Sequence, residues 1–382
     1  MRAEESPMKL FECQNCGQPL YFENTRCESC GAQLGYLPRE ETVTALRPAG
    51  DGVWQALAGR GTRYKFCANA AHDVCNWLIP AHEPDQFCIA CRHNRTIPNL
   101  SDPENLRRWR LIEVAKHRLF YTLIKLRLPL DAGNNQPALT FDFLDPGAAP
   151  AGPPIMTGHA NGVITLNVAE ADDAERERMR GQMGELYRTL LGHFRHEIAH
   201  YYWDRLIADT PELEPFRQIF GDERQDYGQA LQTYYANGAP ADWAEHFISR
   251  YASSHPWEDF AETWAHYLHM TDTLETANAF GLVVRPKLSR GMAARIDFDP
   301  LHAELDRIIE SWLPLTFAVN SINRSMGVPD LYPFVLSPAV IGKLSFVHDC
   351  IREQAGRTAA PAGGMRAVIA GLRQRAGFPS AG

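Results

Sequence analysis

From Leu106 to Leu126 the apolar residues Leu106, Trp109, Ile112, Leu119, Leu123 and Leu126 fall largely on one face at helical period. Ser101 with Glu104 matches a capping box and Pro103 suits a first helical position, so the pattern predicts an amphipathic helix ending near Pro129. The period then changes. LTFDFLD (139–145) and VITLNV (163–168) alternate like strands, separated by the loop signal DPGAAPAGPP. From Asp172 to about Ile207 the helical pattern returns. It recurs around 222–236, 241–252, 257–280, 300–312 and 338–354. Few strands followed by many helices make an α+β domain. Before residue 99 the pattern is polar, with strand-like pieces such as VWQALAG. After Gln354 it dissolves into an Ala/Gly/Arg-rich tail expected to be disordered.

The predicted organisation is a polar, cysteine-bearing region over 8–98, a mostly helical domain with a small sheet over 99–353, and a tail over 354–382. At 382 residues, with 45% hydrophobic, 22% charged and 10% aromatic positions, the chain is ordinary globular material. No run approaches the length of a membrane span. MRAEESPMKLFECQNCG lacks an apolar signal core, so a cytoplasmic location is expected, with Met8 as good a start as Met1. The net charge of -8 is uneven: residues 1–130 carry 17 Lys/Arg against 14 Asp/Glu, and the remainder carries 21 against 32. An acidic main body argues against nucleic acid as the principal partner and leaves the ribbons as the route to one.

Eight of nine cysteines lie between residues 13 and 91, which calls for metal before disulfides in a cytosolic chain. Cys13, Cys16, Cys27 and Cys30 form two CxxC pairs, each followed by glycine. Such knuckles aim two thiolates at one point, and two of them close a tetrahedron around a structural Zn2+. Cys67, Cys75, Cys88 and Cys91 are expected to hold a second one, although the first pair is spread to Cx7C. His72, His82 and His93 are substitutes for one thiolate. Structural zinc supplies folding energy to modules too small for a core of their own. Cys350 stands alone and reads as a small buried apolar residue.

LGHFRHEIAHYYWDRL contains His196, Glu197 and His200 as HExxH within a helical pattern. Histidines at i and i+4 share a face and can share a metal, with Glu197 placed to take a proton from water. The longer HExxHxxGxxH form is excluded, because Trp203 and Leu206 stand where glycine and histidine are required. A third ligand must come from elsewhere. PWEDFAETWAHYLHMTD offers Glu258 and Glu262 one turn apart on one face, and His255, His266 and His269 are further donors. Two imidazoles and one carboxylate leave zinc a net positive charge and an open position for water, whose pKa falls to about 7. Asp204, one turn beyond His200, could stand behind the ligands. The strand from His159 to Val168 offers an edge for an extended peptide, or lies inside the sheet.

EDFAETWA resembles the EFFAEAF segment of the anthrax lethal factor catalytic domain. The resemblance implies that Glu258 binds zinc, that Glu262 orients a ligand histidine, and that Tyr251, seven residues before Glu258, is the tyrosine near the reacting carbonyl. From about Phe11 to Ile351 the chain resembles a bacterial family of zinc-binding metallopeptidases with an N-terminal zinc ribbon. MGELYRTLLGHFRHEIAHYYWDRL, PWEDFAETWAHYLHMTD and NRSMGVPDLYPFVLSPAV carry that likeness. It implies a zincin-like, gluzincin-type peptidase with one catalytic and two structural zinc ions, acting on a protein or peptide. Two other readings use the same residues: a zinc-ribbon adaptor with an inactive HExxH, and a zinc hydrolase of a non-peptide bond.

Overall fold

The computed structural model describes residues 10–59, 61–131, 137–148, 155, 157–183, 189–288 and 290–359. Its cysteine-rich part begins with a short hairpin, β1 (Phe11–Glu12) and β2 (Pro19–Leu20). A five-stranded antiparallel sheet follows, in the order β3 (Leu34–Leu37), β4 (Thr42–Pro48), β5 (Trp54–Ala56), β6 (Arg63–Phe66) and β7 (Leu78–Pro80). The polar stretch 38–60 thus holds two whole strands, β4 and β5. Gly35 in β3 lets the sheet close over Leu78, whose side chain would lie within 2.9 Å of any Cβ added there.

β8 (Asn94–Thr96) leaves that sheet and joins another, ordered β10 (Gly158–Ala160), β11 (Val163–Asn167), β9 (Thr140–Leu144), β8. β9 runs parallel to both neighbours, and β10 closes antiparallel on β11. The predicted 159–168 strand is therefore a hairpin with an interior strand at β11 and the sheet's end at β10. The expected boundary near residue 99 falls just after β8, a strand hydrogen-bonded to β9.

Helix α1 (Pro103–Lys125) is capped by Asp102, which accepts from Glu104 N at 2.9 Å. Ser101 instead bonds Asn99, because Pro103 at the first helical position makes its immediate predecessor the cap. The helical pattern of 172–207 resolves into α2 (Asp173–Met183) and α3 (Leu190–Leu206), the latter with its own cap, Thr189 accepting from Gly192 N at 3.0 Å. Then come α4 (Leu213–Phe220), which the periodicity did not predict, α5 (Tyr227–Asn237) and α6 (Trp243–His246). The expected helix 241–252 is only α6 plus a 3-10 turn over Tyr251–Ser254. α7 (Pro256–Ala279) packs on α3 through Tyr202 on Trp264, with centroids 5.3 Å apart, and Trp203 on Trp257 at 5.2 Å.

A small pair, β12 (Val283–Val284) and β13 (Ala294–Arg295), precedes α8 (Leu305–Ser325) and α9 (Pro338–Ala359). α8 runs well past the expected end at 312, with Pro314 inside it. α9 continues through 354–359 of the expected tail, and 360–382 lie outside the described residues. Cys350 is buried on α9.

One apolar core runs through both parts. Phe22 and Tyr36 from the cysteine-rich half meet Tyr121 of α1 and Trp77 meets His117, with Phe22–Tyr36 and Tyr36–Trp77 centroids each at 4.8 Å. On the other side Phe141 and Phe143 of β9 pack on Phe194 of α3 at 5.8 and 6.2 Å. Buried polar contacts tie the three long helices together. Thr122 of α1 donates to Asp272 of α7 at 2.9 Å, Arg195 of α3 pairs with the same Asp272, and Lys125 pairs with Glu275 at 2.6 Å. Such pairs give register, because removing one partner strands the other's charge in the core.

Candidate metal centres

In the first cysteine cluster Gly17 and Gly31 follow their CxxC pairs at φ 75 and 71, the left-handed conformation glycine accepts at no steric cost. Their amides donate to the carbonyls of Cys13 and Cys27 at 2.8 Å, tightening each knuckle. The four sulfurs converge, with Cys13 and Cys30 3.7 Å apart and Cys16 and Cys27 3.6 Å apart. The second cluster, Cys67, Cys75, Cys88 and Cys91, converges likewise and is wholly buried. Backbone N–H groups of Cys88, Trp77 and Cys91 donate to Cys67, Cys75 and Cys88 sulfur at 3.4 Å, the support a thiolate needs away from water.

His93 does not substitute for a thiolate there, since its Nδ1 lies 2.8 Å from the Leu139 carbonyl oxygen. His72 meets the Trp109 ring, and neither His72 nor His82 belongs to a donor group among the described residues. The imidazole that does approach is His117 of α1, whose Nε2 is 3.6 Å from Cys91 sulfur. It escaped the sequence reading because it lies 26 residues from Cys91 inside a helical pattern.

The third centre joins α3 to α7. His196 and His200 face one side of α3, ring centroids 5.0 Å apart. Glu258 faces them from the first turn of α7, where an N-terminal carboxylate suits the helix dipole. Its Oε2 is 3.0 Å from His196 Nε2 and its Oε1 is 3.7 Å from His200 Nε2. Glu262, one turn on, lies behind His196: His196 Nδ1–H donates to Glu262 Oε1 at 2.8 Å, while Ser249 donates to Oε2 at 2.6 Å. The two glutamates left open by spacing are thus separated by which imidazole nitrogen each meets.

The other histidines are engaged elsewhere. His255 caps α7, His266 Nδ1 is 2.7 Å from the Tyr332 hydroxyl, and His269 Nδ1 is 3.2 Å from the Arg195 guanidinium. Tyr251 brings its ring to 5.9 Å from that of His196. Asp204 is half-buried, which lifts its carboxyl to about 6, and no described contact joins it to the centre. Tyr227 of α5, unmarked in the sequence, donates its hydroxyl to Glu258 Oε1 at 2.7 Å.

The donor set fits a divalent cation. With the hydrogen of His196 on Nδ1, its Nε2 lone pair faces Glu258 Oε2, a buried oxygen with no hydrogen-bond donor. Two electron-rich atoms in that relation call for a positive charge between or beside them. Burial disfavours charge on His196, yet Glu258 and Glu262 outweigh it and raise its pKa well above normal, so the carboxylates favour a positive charge at this imidazole, which a proton or a metal ion on Nε2 supplies. Burial would also raise Glu258, but His200, His196 and Tyr227 hold it at about 2. Glu262 sits at about 2 as well, where His196 outweighs burial. His200 is pushed down to about 4 by burial, leaving a neutral imidazole, the form that ligates. Glu197, buried beside this group, is pushed up to about 7 by desolvation.

Two four-sulfur clusters followed by a His-His-Glu group between packed helices are donor sets of the kind a zinc-binding metallopeptidase with an N-terminal zinc ribbon would carry. The chain belongs to the family described as "Putative zinc-binding metallo-peptidase", whose model matches residues 105–350, and a zinc-ribbon domain model matches residues 10–102. Uncharacterized proteins of Mycobacterium bovis and of Mycobacterium tuberculosis strains CDC 1551 and H37Rv are each 41% identical over 352 residues, covering 91% of this chain and 96% of theirs. No solved structure matches. No helix among the described residues is long and apolar enough to cross a membrane.

Proposed function

We propose that the protein is a zinc-dependent peptidase in which His196, His200 and Glu258 hold the catalytic ion and Glu197 is the general base. The observation that carries this reading is the unsatisfied Glu258 Oε2 facing His196 Nε2, with the buried carboxylate of Glu197 near enough to feel both groups. Zinc held there supplies Lewis acidity, making water nucleophilic near neutral pH and polarising a carbonyl.

Glu197 takes the proton of the attacking water as the new C–O bond forms, then hands it to the amine nitrogen as the C–N bond breaks. A carboxylate lifted to about 7 holds that proton well enough to return it. Tyr251, whose ring lies 5.9 Å from that of His196, would serve the developing oxyanion through its hydroxyl. Glu262 fixes His196 by its Nδ1–H and keeps Nε2 facing the ion. An extended peptide would lie along β10, at the sheet's end, where His159 is parallel to His200 with centroids 6.3 Å apart. The two cysteine clusters would each hold a structural zinc, giving three ions per chain.

Glu197→Gln keeps the shape and removes the base. Its metal content should match wild type, while single-turnover cleavage falls by about 10²–10⁴, roughly 3–5 kcal/mol of barrier. Because the substrate must be found first, cleavage profiling of a whole proteome with wild type and Glu197→Gln is the test. Peptides released by wild type alone support the reading, and identical profiles overturn it.

A further inference from the structure

Glu258 has two oxygens in different circumstances. Oε2 is buried, faces His196 Nε2 and has no hydrogen-bond donor, whereas Oε1 receives the Tyr227 hydroxyl at 2.7 Å. Tyr227 opens α5, a helix with no buried residue, so core packing alone does not explain where its hydroxyl sits. The placement comes from His255. Its Nδ1 accepts Trp257 N–H at 3.1 Å and so caps the helix that carries Glu258. The ring hydrogen is then on Nε2, which donates to the Gln225 carbonyl at 3.3 Å, two residues before Tyr227. The same imidazole meets the Tyr227 ring edge-on at 5.2 Å. One side chain therefore fixes both the start of α7 and the segment that brings the phenol to Glu258.

We propose that Tyr227 is a positioning residue of the metal centre: its hydroxyl engages Glu258 Oε1, the oxygen 3.7 Å from His200 Nε2, so the carboxylate presents Oε2, 3.0 Å from His196 Nε2, as its principal ligand atom. A carboxylate held this way binds through one oxygen and leaves room for water and substrate, whereas a freed carboxylate can chelate through both. The inference rests on His196, His200 and Glu258 being the ligands, and it makes no use of peptide cleavage.

Tyr227→Phe removes the hydroxyl and keeps the ring against His255. Zinc affinity at this centre, measured by chelator competition on the full chain, should fall by about 10–100-fold, the usual consequence of losing a hydrogen bond to a ligand. Cobalt placed at the same centre reports the geometry, because its visible absorption weakens as coordination rises from four. Subtracting the spectrum of His196→Ala/His200→Ala cancels any signal from the sulfur clusters. The expected result is weaker binding together with a weaker band in Tyr227→Phe. Unchanged affinity and spectrum overturn the proposal, as does a lower melting temperature in the His196→Ala/His200→Ala background with affinity in the otherwise wild-type chain intact, which would make Tyr227 a packing residue. If wild type and His196→Ala/His200→Ala bind the same number of ions, the ligand assignment fails and this inference with it. Normal metal behaviour with no cleavage of any peptide would overturn only the peptidase reading.

Discussion

Cys16 and Cys30 of the first cluster are exposed and their partners buried, whereas all four cysteines of the second are buried. The first is built from local pieces, two CxxC-Gly knuckles within 19 residues of chain. The second spans Cys67 to Cys91 and has α1 pressed behind it. His117 lies 3.6 Å from Cys91 sulfur, and Glu113 accepts from Asn94 of β8 and pairs with Lys116, both at 2.8 Å. Asn94, Glu113 and Lys116 also close a three-way contact through the Lys116 ammonium and the Asn94 carbonyl oxygen. α1 in turn is joined to α3 and α7 by Asp272. Identical donors can therefore do unlike work. A zinc held by the first cluster would organise a module exposed at two of its cysteines, while one held by the second would sit inside the frame that positions HExxH.

The strongest test separates the clusters by mutation. Zinc binding to a structural four-ligand site is worth about 10–16 kcal/mol, as much as the whole stability of an ordinary domain. Cys88→Ser/Cys91→Ser should abolish the cooperative melt followed by circular dichroism and release every metal ion. Cys13→Ser/Cys16→Ser should lose one ion and leave both the main transition and the HExxH metal in place. Equal damage from the two pairs would break the comparison.

A deletion tests the same coupling without touching a ligand of the third centre. A fragment of residues 99–359 lacks β8 and the second cluster, so it bares Trp109, His117 and Tyr121, all buried in the full chain. It is expected to be insoluble or to melt without cooperativity, since an unpaired β9 edge and an uncovered apolar helix face favour association. A fragment that melts cooperatively and holds one zinc would place the second cluster outside the catalytic frame.

How much of this could be read from the chain depends on the range over which each signal acts. CxxC followed by glycine and HExxH are local, because one turn of backbone fixes both the donors and their direction. The long helices were legible for the same reason, through Trp109, Ile112 and Leu119 or through Pro256 at the head of α7. Where contacts are distant, spacing falls silent. Glu258 and Glu262 share a face, and only the position of α3 sends one to Nε2 of His196 and the other to Nδ1. Tyr227 lies 31 residues before Glu258 on a helix with no apolar stripe to mark it. The expected helix 241–252 stops at His246 because the backbone becomes extended at Phe247, φ -127 and ψ 147, which apolar periodicity does not report. The 172–207 pattern hid a break because periodicity reports face and not continuity, and the Thr189 cap was a weak mark within it.

The smallest effect probes how firmly the first cluster is fastened. Gln14 lies inside its first knuckle and reaches across to β4, donating to the Val43 carbonyl at 3.1 Å and accepting from Ala45 N–H at 2.7 Å. Its amide also donates to the Glu12 carbonyl at 2.7 Å. Gln14 is exposed, so water can replace part of this bridge in Gln14→Ala, and each hydrogen bond is worth about 0.5–1.5 kcal/mol net. A cost of about 1–2 kcal/mol confined to the cluster and β4 is expected. The Ala45 amide should report it directly, exchanging its hydrogen roughly 5–30 times faster, the ratio for that free energy. The main thermal transition should stay where it is, because the second cluster and α1 do not feel Gln14. If the main transition drops by the full amount instead, the first cluster belongs to the same cooperative unit as the second, and the contrast between them is one of exposure alone.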